Sequence, residues 1–557
     1  MVVEKIEQLL NEALRRAREQ GELPEGPTPE STVQPPPSLN LGDYASNLAL
    51  ALGSQTGQAA REVAQVLLRH MPQAPDLVER VELAGAGFIN FRLRPGWLHE
   101  AVLEACRLGE RCGRSDRYAG HKVNIEFVSA NPSGPILVVN GRAAAMGGAL
   151  ANLLEFVGWQ VTREYYVNDA LVSTQMERLG ESLEARYFQA LGIDKAVPED
   201  GYQGEYLVAF AQEIVRERGD AYLKMGDDER RRQFTTLALE KMLADQKRDL
   251  EDFGVRYEVW FRESSLYDSR KVEKAIGLLT ERGYTYESEG ALWLRSTALG
   301  AEKDEVLVRG TGKPAYLAGD IAYHMDKFGR GFDRLIDIWG PDHHGHVARL
   351  KAGVRASGCD ADRLEILVHQ IVRLVSEGEQ VRMSKRAGDI VPLSDLVREV
   401  GSDAARFFFL MRSHDTPLDF DLELAKRHSL DNPVYYVQYA HARICSIFAE
   451  AERKGVPLPA PESADLSCLT SQDERALMRK IADFPDEVMA AAEKHEPHRL
   501  TRFAQEFAEV FHKFYTNCRV LGSGPGMEPA RLLLAQAARN VLRNVLGLTG
   551  ISAPERM

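Results

Sequence analysis

VNIEFVSANPSGPILVVNGRAAAMGGALANLLEFVG, residues 123–158, changes character twice along its length. Val123, Ile125 and Phe127 alternate with polar neighbours, the period of a buried strand. Asn131-Pro132-Ser133-Gly134-Pro135 then breaks the chain, because proline removes donors and glycine admits turn conformations. From Arg142 the small residues Ala143, Ala144, Ala145 and Ala149, followed by Leu150, Leu153 and Leu154, predict a helix able to lie close to a sheet. Strand, glycine turn and helix N-terminus in succession make an anion site, since unpaired N–H groups and the helix dipole both favour phosphate.

The chain around this stretch has 557 residues, enough for roughly three to four domains with their own cores. Apolar and charged fractions are those of a soluble globular protein. No apolar run reaches the roughly 20 residues of a membrane span, and the N-terminus lacks a signal-peptide core. Six scattered cysteines without zinc spacing point to reduced thiols and a cytoplasmic location. A net charge of −13 excludes a wholly basic surface but leaves room for a local basic stripe that binds RNA.

Upstream, residues 1–118 read as a separate α+β domain. It has an amphipathic first helix, a proline-rich loop from Pro24 to Pro37, helices over 47–52 and 59–71, and a strand-like segment over 81–91. Downstream, Val161–Val167 is β-rich and ends in a polar Asn168-Asp169 turn. Residues from about 176 to 300 read as mostly helical and charged, an insertion splitting the sheet domain. Val306–Arg309 is expected to resume the sheet, followed by the strand Leu335–Trp339. That strand ends in Gly340-Pro341-Asp342-His343-His344-Gly345-His346, whose place at a strand-to-helix turn suits a nucleotide loop better than a metal. Met383-Ser384-Lys385, with Arg382 beside it, forms a basic loop able to close over phosphate. Beyond Gly401 the chain is helical, and Tyr435, Tyr439, His441 and Arg443 put aromatics and cations along one helix, a pattern suited to unstacked RNA bases.

The fold expected is multidomain α/β. A nucleotide-binding, Rossmann-like parallel-sheet domain spans 119–400 with its helical insertion, between the N-terminal α+β domain and a C-terminal all-α bundle over 401–557.

IEFVSANPSGP followed by NGRAAA, and RMSK at 382–385, resemble the two signatures of class I aminoacyl-tRNA synthetases, specifically the arginyl-tRNA synthetase family. The resemblance extends over nearly the whole chain. It implies ATP-dependent activation of L-arginine, with Mg2+, and transfer to tRNA(Arg), with no DNA or membrane partner and no protein-bound metal. It implies catalytic roles for Arg382, Lys385 and Asn140, and ATP contacts from Ser133, Gly134, Pro135, Gly141, His343, Met383 and Ser384. Arginine would be held by Glu126, Asn131, Tyr316 and Asp320, with Glu126 and Asp320 sharing the guanidinium and α-ammonium. The N-terminal domain and Tyr435, Tyr439 and Arg443 would contact tRNA.

The chain departs from the family at one tetrad. Where the family has His-x-Gly-His, this sequence has Leu137-Val138-Val139-Asn140. Leu137 donates nothing, Asn140 offers a neutral amide, and Val139 puts a β-branched side chain where the family's glycine lets adenine approach. Arg382 stands for the first lysine of the second signature, and the link from Asp169 to Gln175 lacks the usual glycine. Three readings are therefore open: an arginine–tRNA ligase, a tRNA-binding paralogue with impaired adenylation, and an arginine sensor or scaffold without RNA.

Overall fold

The computed structural model describes residues 2–29, 31–36, 41–169, 174–376, 379–380 and 391–557. At the N-terminus the helix Val2–Glu19 buries Ile6, Leu10, Ala13, Leu14 and Ala17, in one apolar cluster with Leu52, Val63, Leu67 and Phe91. A four-stranded antiparallel sheet completes this unit. The segment read as one strand over 81–91 is a hairpin, Val78–Ala84 pairing with Phe88–Leu93. Gly85 and Gly87, at φ +52° and +145°, turn the chain in conformations other residues rarely adopt.

The central sheet contains β1 (Lys122–Phe127), β2 (Gln160–Val167), β3 (Val259–Arg262), β4 (Arg334–Trp339) and β5 (Leu364–Val368). All pairs are parallel, in the order 5-4-1-2-3. That order reverses between β1 and β4, so a ligand crevice is expected beyond the carboxyl ends of those two strands. The loops after Phe127 and after Trp339 meet there.

Helix α1 (Val138–Phe156) follows β1 and starts at Val138, ahead of the Arg142 expected from the alanine run. It lies very close to the sheet, because a Cβ on Gly147 would stand 2.2 Å from the Phe127 ring. Between β2 and β3 come α2 (Thr174–Ala190), α3 (Glu205–Arg218) and α4 (Asp227–Asp252). These form the expected helical insertion, but beyond Asp252 the stretch towards 300 is mixed, with strands as well as the helices Ser264–Asp268 and Lys271–Glu281.

Two corrections concern the rest of that stretch. Val259–Arg262 returns as the edge strand of the parallel sheet. Val306–Val308 does not resume that sheet. Glu305–Val308 pairs with Ala291–Leu294, which pairs in turn with Thr285–Ser288, in a separate antiparallel sheet. The two-residue turn at Glu289-Gly290, with φ of +53° and +73°, fixes this hairpin, and Glu305–Val308 adds to its free edge.

Helix α5 (Tyr316–Gly329) leads into β4, and α6 (Ser402–Leu410) packs against α1. Then come α7 (Pro433–Arg453), α8 (Gln472–Glu493), α9 (His498–Asn517) and α10 (Met527–Thr549). These C-terminal helices share one continuous apolar cluster with the central sheet. Arg406, 1% exposed, sits where two helices end. Its guanidinium donates to the carbonyls of Phe253 and Gly254 after α4, and to that of Thr549 at the end of α10. Helix C-termini favour a cation, which explains a buried arginine whose hydrogen bonds go to carbonyls. All six cysteines are unpaired. Among the described residues no helix is long and apolar enough to cross a membrane.

Candidate active site

A row of acids crosses the sheet. Glu164 on β2 is in register with Glu126 on β1, which is in register with Asp337 on β4. All three are buried. One face of α5 and its C-cap answer them with His324, Lys327 and Arg330, spaced three apart. Arg330 grips Glu164 with two bonds, 2.7 and 2.8 Å, while Tyr323 and Asn124 donate to the same carboxylate. Lys327 Nζ pairs with Glu126 and donates to Asp337 at 2.9 Å. His324 Nε2 lies 2.7 Å from Asp337 Oδ2, and its Nδ1 lies 2.7 Å from the Asp320 carbonyl.

Burial opposes ionisation throughout this row, but its members differ. For Asp337, Lys327 and His324 outweigh burial and hold the carboxyl at about 2. For Glu126, burial wins and the carboxyl is pushed up despite Lys327. Glu126 was expected as a substrate ligand. The structure commits it internally, with Ser129 Oγ donating to its second oxygen at 3.0 Å.

The chain leaves β1 under constraint. Val128 has φ +70° and Ser129 φ +40°, and the Ser129 N–H bonds back to the Phe127 carbonyl at 3.0 Å. A β-branched residue in the left-handed region is costly and persists only where surroundings over-determine it. Here Ser129 Oγ links Glu126 to the Tyr166 N–H, and Tyr257 Oη donates to the Phe127 carbonyl. Asn131 follows, exposed, its side chain accepting from Asn168 at 3.3 Å.

Ser133, Gly134 and Pro135 are half-buried in the loop between β1 and α1. At the foot of that loop Leu137 is the N-cap of α1 but has no oxygen to offer. Asn140 compensates, accepting from the Leu137 N–H at 3.1 Å, which leaves its amide nitrogen as the donor. Val139 is 46% exposed on this first turn. Gly141, expected to contact ATP, is buried behind it. A Cβ there would meet Leu393 at 2.7 Å and Phe409 at 2.9 Å, so helix packing accounts for this glycine.

Arg382, Met383, Ser384 and Lys385 lie outside the described residues. The chain that follows them is tied to the first signature, since Val138 N–H donates to the Val391 carbonyl and Leu393 N–H to that of Ile136. Arg142 makes a second tie. It is completely buried, donates to the carbonyls of Gln370 and Ser413 at 2.9 and 2.7 Å, and is lowered to about 10 by burial.

Opposite this loop, Tyr316 opens α5 at 70% exposure, and Asp320 stands one turn along, half-buried. Asp320 makes no ion pair among the described residues. Burial, with Glu126 adding to it, pushes its carboxyl up to about 6 against the pull of His324, His343 and Arg349. No sequence pattern marks its neighbour Glu263, at the end of β3, which is buried. A Cβ on Gly319 would lie 3.6 Å from Tyr267 Oη and 3.8 Å from a Glu263 oxygen, so that glycine brings both against α5. Burial and the two carboxylates push the Tyr267 phenol up to about 12. The pocket edge is thus acidic and aromatic, suited to a planar cation.

His343 sits in the short turn after β4, with its Nδ1 3.2 Å from Asp342 and its ring beside Trp339 and His346. Among the described residues no group of three or more potential ligands is placed to hold a metal.

About the C-terminal helices, Tyr435 and Tyr439 stack one turn apart on α7 with their planes 11° from parallel. Arg443 lies over Tyr439 and over Tyr515 of α9, at 4.6 and 4.7 Å, and donates to Tyr439 Oη at 2.7 Å. The sequence brought the first three together; Tyr515 and His512 join them only through packing of α9.

Three family models match the chain. Residues 4–93 match the arginyl tRNA synthetase N-terminal domain, 108–413 the class I (R) tRNA synthetase catalytic domain, and 437–557 the DALR anticodon binding domain. The chain is 51% identical to an arginine--tRNA ligase of Desulforudis audaxviator over 99% of its length and 98% of the relative's. It is 50% identical to that of Moorella thermoacetica over 98% of each. The Thermus thermophilus arginyl-tRNA synthetase structure shares the fold, with a TM-score of 0.78 at 24% identity over the whole of both chains.

Proposed function

The chain belongs to the arginyl-tRNA synthetase family, and we propose that the crevice at β1 and β4 reads the arginine guanidinium with Asp320 and Glu263. The activity is arginine–tRNA ligation. The arginine carboxylate attacks the α-phosphorus of ATP, pyrophosphate leaves, and a ribose hydroxyl of tRNA(Arg) then displaces AMP from the acyl carbon. The observation that carries the substrate assignment is Asp320, a half-buried carboxylate without a cation partner among the described residues, beside a second buried acid. A guanidinium supplies what Asp320 lacks, in the planar, charge-assisted form that such a carboxylate binds best.

Tyr316, on the exposed first turn, would cover the substrate, and Asn131 would meet its α-amino end. Glu126 holds the acidic row in place behind them and adds negative potential. Loop 131–135 and the first turn of α1 would receive the ATP phosphates, with the Asn140 amide nitrogen as a donor and His343 facing from the β4 turn. Mg2+ would arrive on the nucleotide, held by phosphates and water, as is usual for this hard cation. Arg382 and Lys385 would neutralise charge on the leaving pyrophosphate. The stack of Tyr435, Tyr439 and Arg443 would receive tRNA bases, and the N-terminal domain would touch the same tRNA. Cytoplasmic work fits the six free thiols.

ATP–pyrophosphate exchange in the presence of tRNA tests this reading. Arginine is expected to support exchange and citrulline, its neutral isostere, is not. Equal exchange with both would overturn the carboxylate assignment.

A further inference from the structure

On the assignment of residues 131–135 to the nucleotide phosphates, we propose that Gln246 is a positioning residue for adenylation, setting that loop from within the helical insertion. Gln246 lies on α4, more than 110 residues along the chain from the loop, and its side chain is completely buried. Its Nε2 donates to the carbonyls of Asn131 at 3.0 Å and Gly134 at 2.8 Å. Its Oε1 lies 2.9 Å from Tyr165 Oη. The amide orientation is unambiguous, because only an NH2 group can face two carbonyls. Tyr206 of α3 donates to the intervening carbonyl, that of Ser133, at 2.7 Å.

Three carbonyls of the loop, those of Asn131, Ser133 and Gly134, are thus held by the insertion rather than by the sheet. The loop has little means of fixing itself. Pro132 and Pro135 have no N–H, and Gly134 has the widest conformational freedom of any residue. Losing the Gln246 amide would leave two part-buried carbonyls without their protein donor unless the loop moved, and such groups favour finding partners. A shift of about 1 Å in a loop that aligns reacting phosphates is enough to cost on the order of 100-fold in rate. Gln246 touches neither substrate in this arrangement; it acts through the loop.

The test uses the full-length protein carrying Gln246→Met, which keeps the volume and removes both donors, alongside Gln246→Glu. Melting temperature, the KM values for ATP and arginine, kcat for pyrophosphate exchange, and tRNA affinity are measured for each. Gln246→Met is expected to raise the ATP KM or lower kcat by about tenfold to 100-fold, with tRNA affinity within about twofold of the parent. Gln246→Glu is expected to recover as pH falls, because a protonated carboxyl again donates one hydrogen bond. Methionine lacks that limb of the profile.

A Gln246→Met protein with parental ATP KM and kcat overturns the proposal, whatever its melting temperature. Gly134→Val separates this failure from failure of the loop assignment. If Gly134→Val alters the ATP KM while Gln246→Met does not, the loop binds nucleotide and Gln246 does not position it. If neither moves, the loop assignment falls too. Should Gln246→Met fail to fold, Tyr206→Phe removes one hydrogen bond to the same loop with little change in volume. A smaller change of the same kind supports the proposal, and parental ATP kinetics in Tyr206→Phe overturn it.

Discussion

Lys327 Nζ and Asp337 Oδ1 meet at 2.9 Å with neither side chain exposed to water, at the centre of the sheet that carries the site. The same ammonium pairs with Glu126, so one cation serves two buried acids on adjacent strands. Breaking such a pair costs far more than its net worth, because the surviving charge is stranded. Lys327→Met is expected to destabilise the protein by about 3–5 kcal/mol, read as a lower denaturation midpoint. Lys327→Met with Asp337→Leu is expected to regain much of that loss. Glu126, already pushed up by burial, can take a proton in either variant, whereas the single variant leaves Asp337 buried without the ammonium that held it ionised, with only His324 to oppose burial.

The acids themselves stood in the sequence, yet their pairing did not. Alternation at Val123, Ile125 and Phe127 gave β1, and Leu335–Trp339 gave β4, because both are buried strands with flanking turns. Nothing local revealed that Glu126, Glu164 and Asp337 lie side by side, since register depends on contacts across 38 and 211 residues of chain. Val259–Arg262 was invisible for a different reason. Four residues are too few to show a period of two within a charged helical context. The strand at 305–308 was visible as a strand, but its short apolar pattern does not say which sheet it joins. Glu263 and Gln246 carry no motif at all. Each is placed by tertiary packing, and only the folded chain brings them to the site.

Tyr439→Ala is expected to weaken tRNA binding by about 1–3 kcal/mol if one base stacks on the ladder with Tyr435. Arg443, held between Tyr439 and Tyr515, is expected to contribute to the salt dependence. Arg443→Gln should therefore flatten the slope of log K against log salt by about one phosphate contact. Fluorescence anisotropy over a salt series measures both. Unchanged affinity and slope in both variants would place the RNA elsewhere.

Arginine binding through Asp320 is expected to depend on pH. Its carboxyl titrates at about 6 in the free protein because burial, reinforced by Glu126, disfavours the charged form. An acid raised on folding binds more protons when folded, so its contribution to stability falls as pH rises from about 4 to about 6. Binding runs the other way, because a guanidinium needs the ionised form. Arginine affinity is expected to drop by about tenfold per pH unit below 6, until the lower pKa of the bound state is reached. Asp320→Asn should bind weakly at every pH, without that limb. Calorimetric titration between pH 5 and pH 8, a range chosen about the value of 6, decides the matter; a flat profile for the parent protein would exclude Asp320 as the guanidinium partner.

The tetrad at 137–140 is expected to set stability against catalysis. Asn140 satisfies the Leu137 N–H from within the first turn of α1, and Val139, half in water, contributes the helix preference that a glycine would lose. Changing Leu137→His, Val139→Gly and Asn140→His together is therefore expected to lower the melting temperature. The glycine alone accounts for roughly a few tenths of a kcal/mol, the difference in helix propensity between valine and glycine. The backbone ties from Ile136 and Val138 to the 391–393 segment involve no side chain and should survive. Exchange activity is expected to move in the opposite direction. Two phosphate donors at roughly 100-fold each give about 10,000-fold if they act independently, and less if they act as a unit. ATP KM should fall and tRNA affinity should not change. Opposite signs in melting temperature and exchange rate would mark the tetrad as a catalytic handicap that the fold tolerates. If the triple variant exchanges no faster than the parent, the Asn140 amide and the cations of the second signature already supply what the histidines would.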